Sequence, residues 1–331
     1  MNHPGSRTSV TTQAPVNQAE TFADVFNAIC DNIEITIRGK RDVIHLAVLS
    51  LIAEGHILLE DAPGVGKTSI GKALAASINA TFGRVQFTPD LLPADVVGMT
   101  VWNRASGTFD FRPGPVFSNI VLADEINRAS PKTQSALLEA MGERQVTVDG
   151  ITHNLASPFM VIATQNPIEH EGTYPLPESQ LDRFLMKISV GYPSRTAELE
   201  ILDRHSDHAP ELSPVVSATT INSLSRAARA IHVAPLLRGY IVDIAEATRR
   251  HHAIAFGMSP RAVLALQNAS RVQAASVLRS YVTPDDIKAL ARNVIPHRLM
   301  VAPEAQIQGI TALQIVDQIL DAIPVPTGLG A

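Results

Sequence analysis

HILLEDAPGVGKTSIGKALAASIN, residues 56–79, is the stretch on which the reading of this chain turns. An apolar run (Ile57–Leu59) is followed by a turn rich in glycine and proline, then by a helical pattern from Thr68 to Asn79. Strand, tight glycine turn and helix in that order open a βα unit. The turn reads Asp61-Ala62-Pro63-Gly64-Val65-Gly66-Lys67-Thr68. Glycines let backbone N–H groups converge on phosphate oxygens, an approach that side chains would block. Lys67 supplies a compact cation for the terminal phosphates, and Thr68 offers a hydroxyl to Mg²⁺. Pro63, Gly64, Val65, Gly66, Lys67, Thr68 and Ser69 are therefore the candidate nucleotide-binding residues. The first glycine of the general GxxxxGK[ST] pattern is replaced by Asp61.

Outward from that loop, RVQFT (84–88), NIVLA (119–123), FMVIAT (159–164) and FLMKISV (184–190) are short β-rich apolar runs. Buried parallel strands need not alternate apolar with polar, because helices cover both faces. With helices between them, Pro131–Gly142 among these, they predict a doubly wound parallel sheet of five strands. Two of the strands end in chemistry. NIVLADE places Asp124 and Glu125 at the carboxyl edge of the sheet, where open α/β sheets bind ligands. Asp124 would complete the Mg²⁺ shell with Thr68, and Glu125 would act as general base on water. FMVIATQNP carries Asn166 to the same edge, where its amide could orient water or read the γ-phosphate. Arg183 (in SQLDRF) and Arg261 (in GMSPRA, on a helix that Ser259 can cap) are candidates to stabilise charge on a transferring phosphoryl group.

Two segments interrupt the α/β rhythm: TVWNRASGTFDF (100–111) and QVTVDGITHNL (145–155), the second turning at Asp149-Gly150. Both predict inserted hairpins. Beyond Gly191 the strand signals fade. Helical patterns over Thr196–His205, Thr219–Ala230, Leu236–His252, Pro260–Tyr281, Pro284–Ile295 and Ile307–Ile319 predict a second, all-helical domain. The expected organisation is a tail (1–18), a nucleotide-binding core (19–191), a helical lid (192–321) and a tail (322–331).

Composition excludes other classes. Of the 331 residues, 45% are hydrophobic, enough for a real core and too many for global disorder. A net charge of −5 shows no basic surplus for nucleic acid. The single cysteine, Cys30, excludes an internal disulfide and a Cys/His metal grid. The polar first eighteen residues hold no signal-peptide core, and no apolar window reaches the ~20 residues of a membrane span, so the expected location is the cytoplasm. His170-Glu171 has Tyr174 where a helical zinc-protease motif needs its second histidine, and His251-His252 reads as a helix surface with its rings splayed apart. The Asn/Thr-Lys-x-Asp motif that reads guanine is missing, which favours ATP.

The glycine loop, LADEINRASPKTQSALLEAM (122–141), FMVIATQNPIEHEGTYPLPESQLDRF (159–184), the Arg-Pro-Gly-Pro at 112–115 and GMSPRA (257–262) together resemble the MoxR family of AAA+ ATPases, from about Ile37 to about His297. Asp61 departs from the general phosphate-loop pattern and not from this family's. Lys40, in IRGK, stands where the family often has glutamine. The resemblance implies a ring, commonly a hexamer, with ATP and Mg²⁺ between subunits. It implies Asn166 as first sensor, Arg261 as second sensor and Arg183 as a finger acting in trans, with Arg128 the alternative finger. It makes the two hairpins the helix-2 and pre-sensor-1 inserts, which face the pore and touch clients. It further implies a chaperone-like motor that matures protein complexes, often inserting metal or cofactor, with a partner bearing a von Willebrand factor A domain on another chain. Two rivals stand beside this: a nucleotide-switched assembly scaffold, and a nucleic-acid motor. The second lacks both a basic run and the Gly-Ala-Phe-Thr-Gly-Ala loop of related transcription activators.

Overall fold

The computed structural model describes residues 18–60, 66–165, 173–192, 195–196, 198–199 and 211–326. Two helices, α1 (Gln18–Thr36) and α2 (Arg41–Ile52), lead into β1 (Ile57–Glu60) and α3 (Lys67–Ser77). Next come β2 (Phe82–Gln86), the short α4 (Pro93–Val97), the hairpin β3 (Gly98–Asn103) and β4 (Thr108–Pro113), and β5 (Ile120–Asp124). After α5 (Pro131–Glu143) a second hairpin, β6 (Gln145–Val148) and β7 (Ile151–Asn154), precedes β8 (Met160–Gln165), α6 (Glu178–Leu181) and β9 (Met186–Ile188).

Five strands pair in parallel, as the apolar runs predict, and the structure gives their order as β2-β5-β8-β1-β9. Successive strand residues point to opposite faces, so an uninterrupted apolar run feeds two cores at once. Ile57, Leu59, Ile120, Leu122, Met160 and Ile162 enter one core with α1, α2, α3 and the carboxyl-terminal helices. Their neighbours Leu58, Val121, Ala123, Val161 and Ala163 enter the other, under α5. Burying one such aliphatic side chain is worth about 1.5–3 kcal/mol, so covering both faces fixes the sheet.

Both hairpins stand outside the sheet, and β6-β7 turns at Asp149 and Gly150, each at positive φ as a two-residue turn requires. They meet through Phe111 and His153, whose rings stack 4.1 Å apart.

Among the described residues beyond β9 the main elements are helices: α7 (Ala218–Arg229), α8 (Pro235–Arg250), α9 (Pro260–Ser276), α10 (Pro284–Val294), α11 (Pro303–Ile307) and α12 (Ala312–Ala322). The expected all-helical domain also holds one small antiparallel pair, β10 (Ile254–Phe256) with β11 (Met300–Val301). Its apolar residues, such as Leu237, Leu266, Ile287 and Ile315, are continuous with the first face of the sheet.

Several boundaries differ from the sequence expectation for local reasons. The strand expected at 84–88 begins and ends two residues earlier, because Thr88 already accepts a turn bond from Leu91 N–H. β9 is three residues, not seven: Phe184 N–H turns back to Leu181, and the carbonyls of Val190 and Gly191 are taken by the Lys40 ammonium. The helix expected to reach Tyr281 stops at Ser276, where Leu278 adopts φ +64° and Arg279 N–H returns to Ala274 O. The single helix expected over Ile307–Ile319 is two, broken at Gly309 (φ +76°) and restarted by a Thr311/Gln314 capping box. His251 leaves the helix, so the angular spacing of helix neighbours no longer applies, and its ring stacks on His252 at 4.7 Å. The pattern at Thr196–His205 and the expected tail at 1–18 lie mostly outside the described residues, as does the second half of the tail expected at 322–331, whose first residue, Ala322, ends α12.

Candidate active site at the carboxyl edge of the sheet

The ends of three adjacent strands are level. Leu59 pairs with Thr164 and Glu60 with Gln165, while Ala163 pairs on its other side with Ala123, one residue before Asp124. Gly66 opens α3 just beyond the end of β1, with φ +90°. Among the described residues a Cβ there would meet nothing within 4 Å, so glycine is required by backbone conformation. Its carbonyl accepts from Ser69 and Ile70 N–H, which starts the helix at Lys67 and Thr68. α3 packs against β5, the strand that ends in Asp124.

Asp124 and Glu125 close β5, and both carboxylates are engaged. Thr164 Oγ1 donates to Asp124 Oδ1 at 2.7 Å, and Arg84 pairs with Asp124 Oδ2 at 2.8 Å. Glu125 is non-glycine yet left-handed (φ 56°, ψ 52°), and its N–H donates to the same Thr164 oxygen at 2.8 Å. A left-handed conformation costs an ordinary residue about 1–2 kcal/mol, and such strain concentrates at functional sites. Glu125 Oε2 accepts from Gln86 Nε2 at 3.0 Å and from Arg128 at 3.1 Å. Arg84 in turn donates to Gln86 Oε1, so neighbouring positions of β2 hold the two acids of β5.

The other expected residues are elsewhere. Arg183 donates from Nη1 to Leu138 O on α5 at 2.7 Å, in space that Gly142 leaves; a Cβ on Gly142 would come within 2.3 Å of that nitrogen. Arg261 lies on the first turn of α9, more than half exposed and 4.0 Å from Asp182. Lys40 gives its ammonium to the carbonyls of Val190, Gly191 and Tyr192, where the chain leaves the sheet. Pro63, Gly64, Val65 and Asn166 lie outside the described residues.

Residues 56–186 match the model of the ATPase family associated with various cellular activities, and residues 246–319 match an AAA lid domain. The chain is 39% identical to chaperone MoxR1 of Mycobacterium tuberculosis over 97% of its length and 89% of that protein's. The chain belongs to the MoxR family of AAA+ ATPases. It is also 51% identical to the uncharacterized protein YeaC of Bacillus subtilis, over 89% of this chain and 93% of YeaC. A crystal structure from Cytophaga hutchinsonii, described as a candidate ATPase, superposes with a TM-score of 0.88 at 37% identity, covering 94% of this chain and 97% of that one.

In this MoxR-family chain no motif marks Arg84, Gln86, Thr164 and Asp182 as site residues, although all four stand inside RVQFT, FMVIAT and SQLDRF. The available signal was the threonine, since a hydroxyl at the last buried position of a strand needs a partner, whereas Arg84 and Gln86 lie at exposed positions of β2 and carry no such mark.

Proposed function

We propose that this protein hydrolyses ATP to ADP and phosphate at the carboxyl edge of the sheet. The observation that carries the reading is the grouping of Asp124 and Glu125 around Thr164, level with the strand that feeds Gly66, Lys67 and Thr68. The residues suit a nucleotide with Mg²⁺: a glycine turn at a helix start, a lysine, a hydroxyl and an anchored carboxylate. Lys67 would hold the terminal phosphates, and Thr68 with Asp124 would hold the metal. When bound, Mg²⁺ neutralises charge developing on the transferring phosphoryl group. Thr164 fixes the rotamer of Asp124 by donation and the backbone of Glu125 by acceptance. Glu125 would take the proton of the attacking water, which requires its carboxylate to exchange Gln86 or Arg128 for that water. Asn166 would orient the water. Arg183, or Arg128 in its place, would act as a finger on a neighbouring subunit's nucleotide, and Arg261 would read it from the lid.

Core (19–191) and lid (192–321) are assigned as two working units of an oligomeric ring, commonly a hexamer in this family. The work proposed is chaperone-like remodelling or maturation of a client complex, including metal or cofactor insertion, with a von Willebrand factor A domain protein as partner and the cytoplasm as location. Support for client contact comes from the first hairpin, which exposes Trp102 and Phe109 as an edge-to-face pair 4.9 Å apart. Among the described residues no helix is long and apolar enough to cross a membrane.

The test is a pair of variants. Lys67→Ala should lose binding of a fluorescent ATP analogue. Glu125→Gln should bind it and lose turnover by about 10²–10⁴-fold, the range for a general base. Full turnover in Glu125→Gln would sink the assignment.

A further inference from the structure

Asp182 precedes the candidate finger Arg183, and its carboxylate is the point at which core and lid meet. Ser259 Oγ donates to both of its oxygens, at 3.1 and 2.9 Å. Arg298, from the segment after α10, pairs with Oδ1 at 3.2 Å and is all but fully buried, at 2% side-chain exposure. The same guanidinium donates to the carbonyl of Phe184 at 2.7 Å, and His297 Nε2 meets that carbonyl at 3.0 Å. Ser259 is also the cap of α9, accepting from Ala262 N–H at 3.0 Å, and Arg261 is on the turn it caps. One carboxylate thus fixes, on the core side, the turn that presents Arg183 and, on the lid side, the helix start that presents Arg261.

We propose that Asp182 is a positioning residue that locks these two arginines into one unit, so that a lid movement that displaces Arg261 from a nucleotide also displaces Arg183. This rests on the ATPase reading above and deepens it. Asp182 touches no reacting atom in this scheme. It acts through Ser259 and Arg298, which cannot leave it cheaply: Arg298 has no water to replace its partner, and Ser259 would have to find another acceptor for its hydroxyl. Arg261, at 4.0 Å and largely exposed, is the one cation of the group that can swing away to a phosphate while the tie holds.

Removing Asp182 outright strands the buried Arg298 and endangers folding, so the informative variants are at Ser259. Aspartate and asparagine both cap helices well, but Ser259→Asp sets a second carboxylate against Asp182, whereas Ser259→Asn can still donate to it. In full-length protein, Ser259→Asp should lower kcat for ATP at least about tenfold with KM held within about threefold, as misplacement of catalytic groups does. Ser259→Asn should stay within about threefold of the parent in both. Adding Arg261→Ala to Ser259→Asp should cost little more, since the two act as a unit. Equal turnover in the two Ser259 variants, or an equal fall in both, overturns the tie. Turnover that survives in Glu125→Gln overturns the ATPase reading beneath it. Dependence on Glu125 alongside a fully active Ser259→Asp overturns the tie alone.

Discussion

Two acidic centres of this chain are held in opposite ways. At the sheet edge, Asp124 and Glu125 pair with Arg84 and Arg128, whose side chains are 49% and 45% exposed. At the core–lid seam, Asp182 pairs with Arg298 at 2% exposure. An exposed pair exchanges partners with water for little free energy, and a buried one does not. The difference suits the roles argued for each centre. Carboxylates that must receive a metal and activate water need partners that leave, and a carboxylate that holds two elements together needs partners that stay.

The strongest way to break the comparison is to remove one member of the buried pair. Asp182→Asn leaves the Arg298 charge without a counter-ion and should destabilise the fold by about 3–5 kcal/mol in chemical denaturation. Burial, helped by the charge of Arg261, already pulls the Arg298 guanidinium down to about 10 despite the opposing pull of Asp182. Adding Arg298→Met should recover much of the loss, because the isolated charge is then gone. A loss under 1 kcal/mol in the single variant would mean that the seam is as soft as the edge.

Acid should act next, through two buried histidines, one at the seam and one in the body of the core. His297, beside Arg298, is pushed down to about 3 by burial and by that guanidinium, and His56, under β8, to about 4 by burial. His56 Nδ1 accepts from Val161 N–H at 2.9 Å, a bond that a proton on that nitrogen would destroy. Both folded-state values lie below the ordinary 6.5, so the unfolded chain takes up more protons as pH falls. Stability is therefore complete above pH 6.5 and declines below it, levelling off only near the folded values. The slope should reach about 1.4 kcal/mol per pH unit for each histidine, and His56→Gln should remove one share of it in denaturation curves between pH 6.5 and 5.

A smaller effect is expected where one hydroxyl serves both edge carboxylates. Thr164→Val keeps shape and removes the donor to Asp124 and the acceptor for Glu125 N–H. The buried, unpaired groups should cost about 1–3 kcal/mol, measured by thermal unfolding, and turnover should fall with the geometry of the two acids.

How far the sequence could be read follows the same division. The sheet was legible because ILL, IVLA and MVIA need both faces covered and say so locally, and the phosphate-loop signature at Gly66-Lys67-Thr68 and the strand-end acids of β5 carry their chemistry in consecutive residues. The hairpin at Asp149-Gly150 declared itself through its turn. The seam was not legible. Asp182, Ser259 and Arg298 are separated by 77 residues in one step and a further stretch in the next, and nothing at any one of them marks the other two. The break at Gly309 is hidden for a related reason: the apolar periodicity runs through it, and only the capping box at Thr311 shows that a new helix begins.

The smallest effect is also the one that sharpens the comparison most. Arg84→Ala removes the exposed cation that holds Asp124, and with it the hydrogen bond that orients Gln86 toward Glu125. Because the guanidinium is half in water, its pair with Asp124 should contribute no more than about 1 kcal/mol to stability, shrinking further as salt is raised. Thr164 remains on Asp124, so the carboxylate keeps its anchor. Denaturation midpoints of parent and Arg84→Ala should therefore nearly coincide at high salt, while those of parent and Asp182→Asn should not. If Arg84→Ala instead matched Asp182→Asn in cost and in indifference to salt, the edge would be as rigidly built as the seam, and Asp124 could not trade its arginine for a metal ion at the expense the proposed reaction allows.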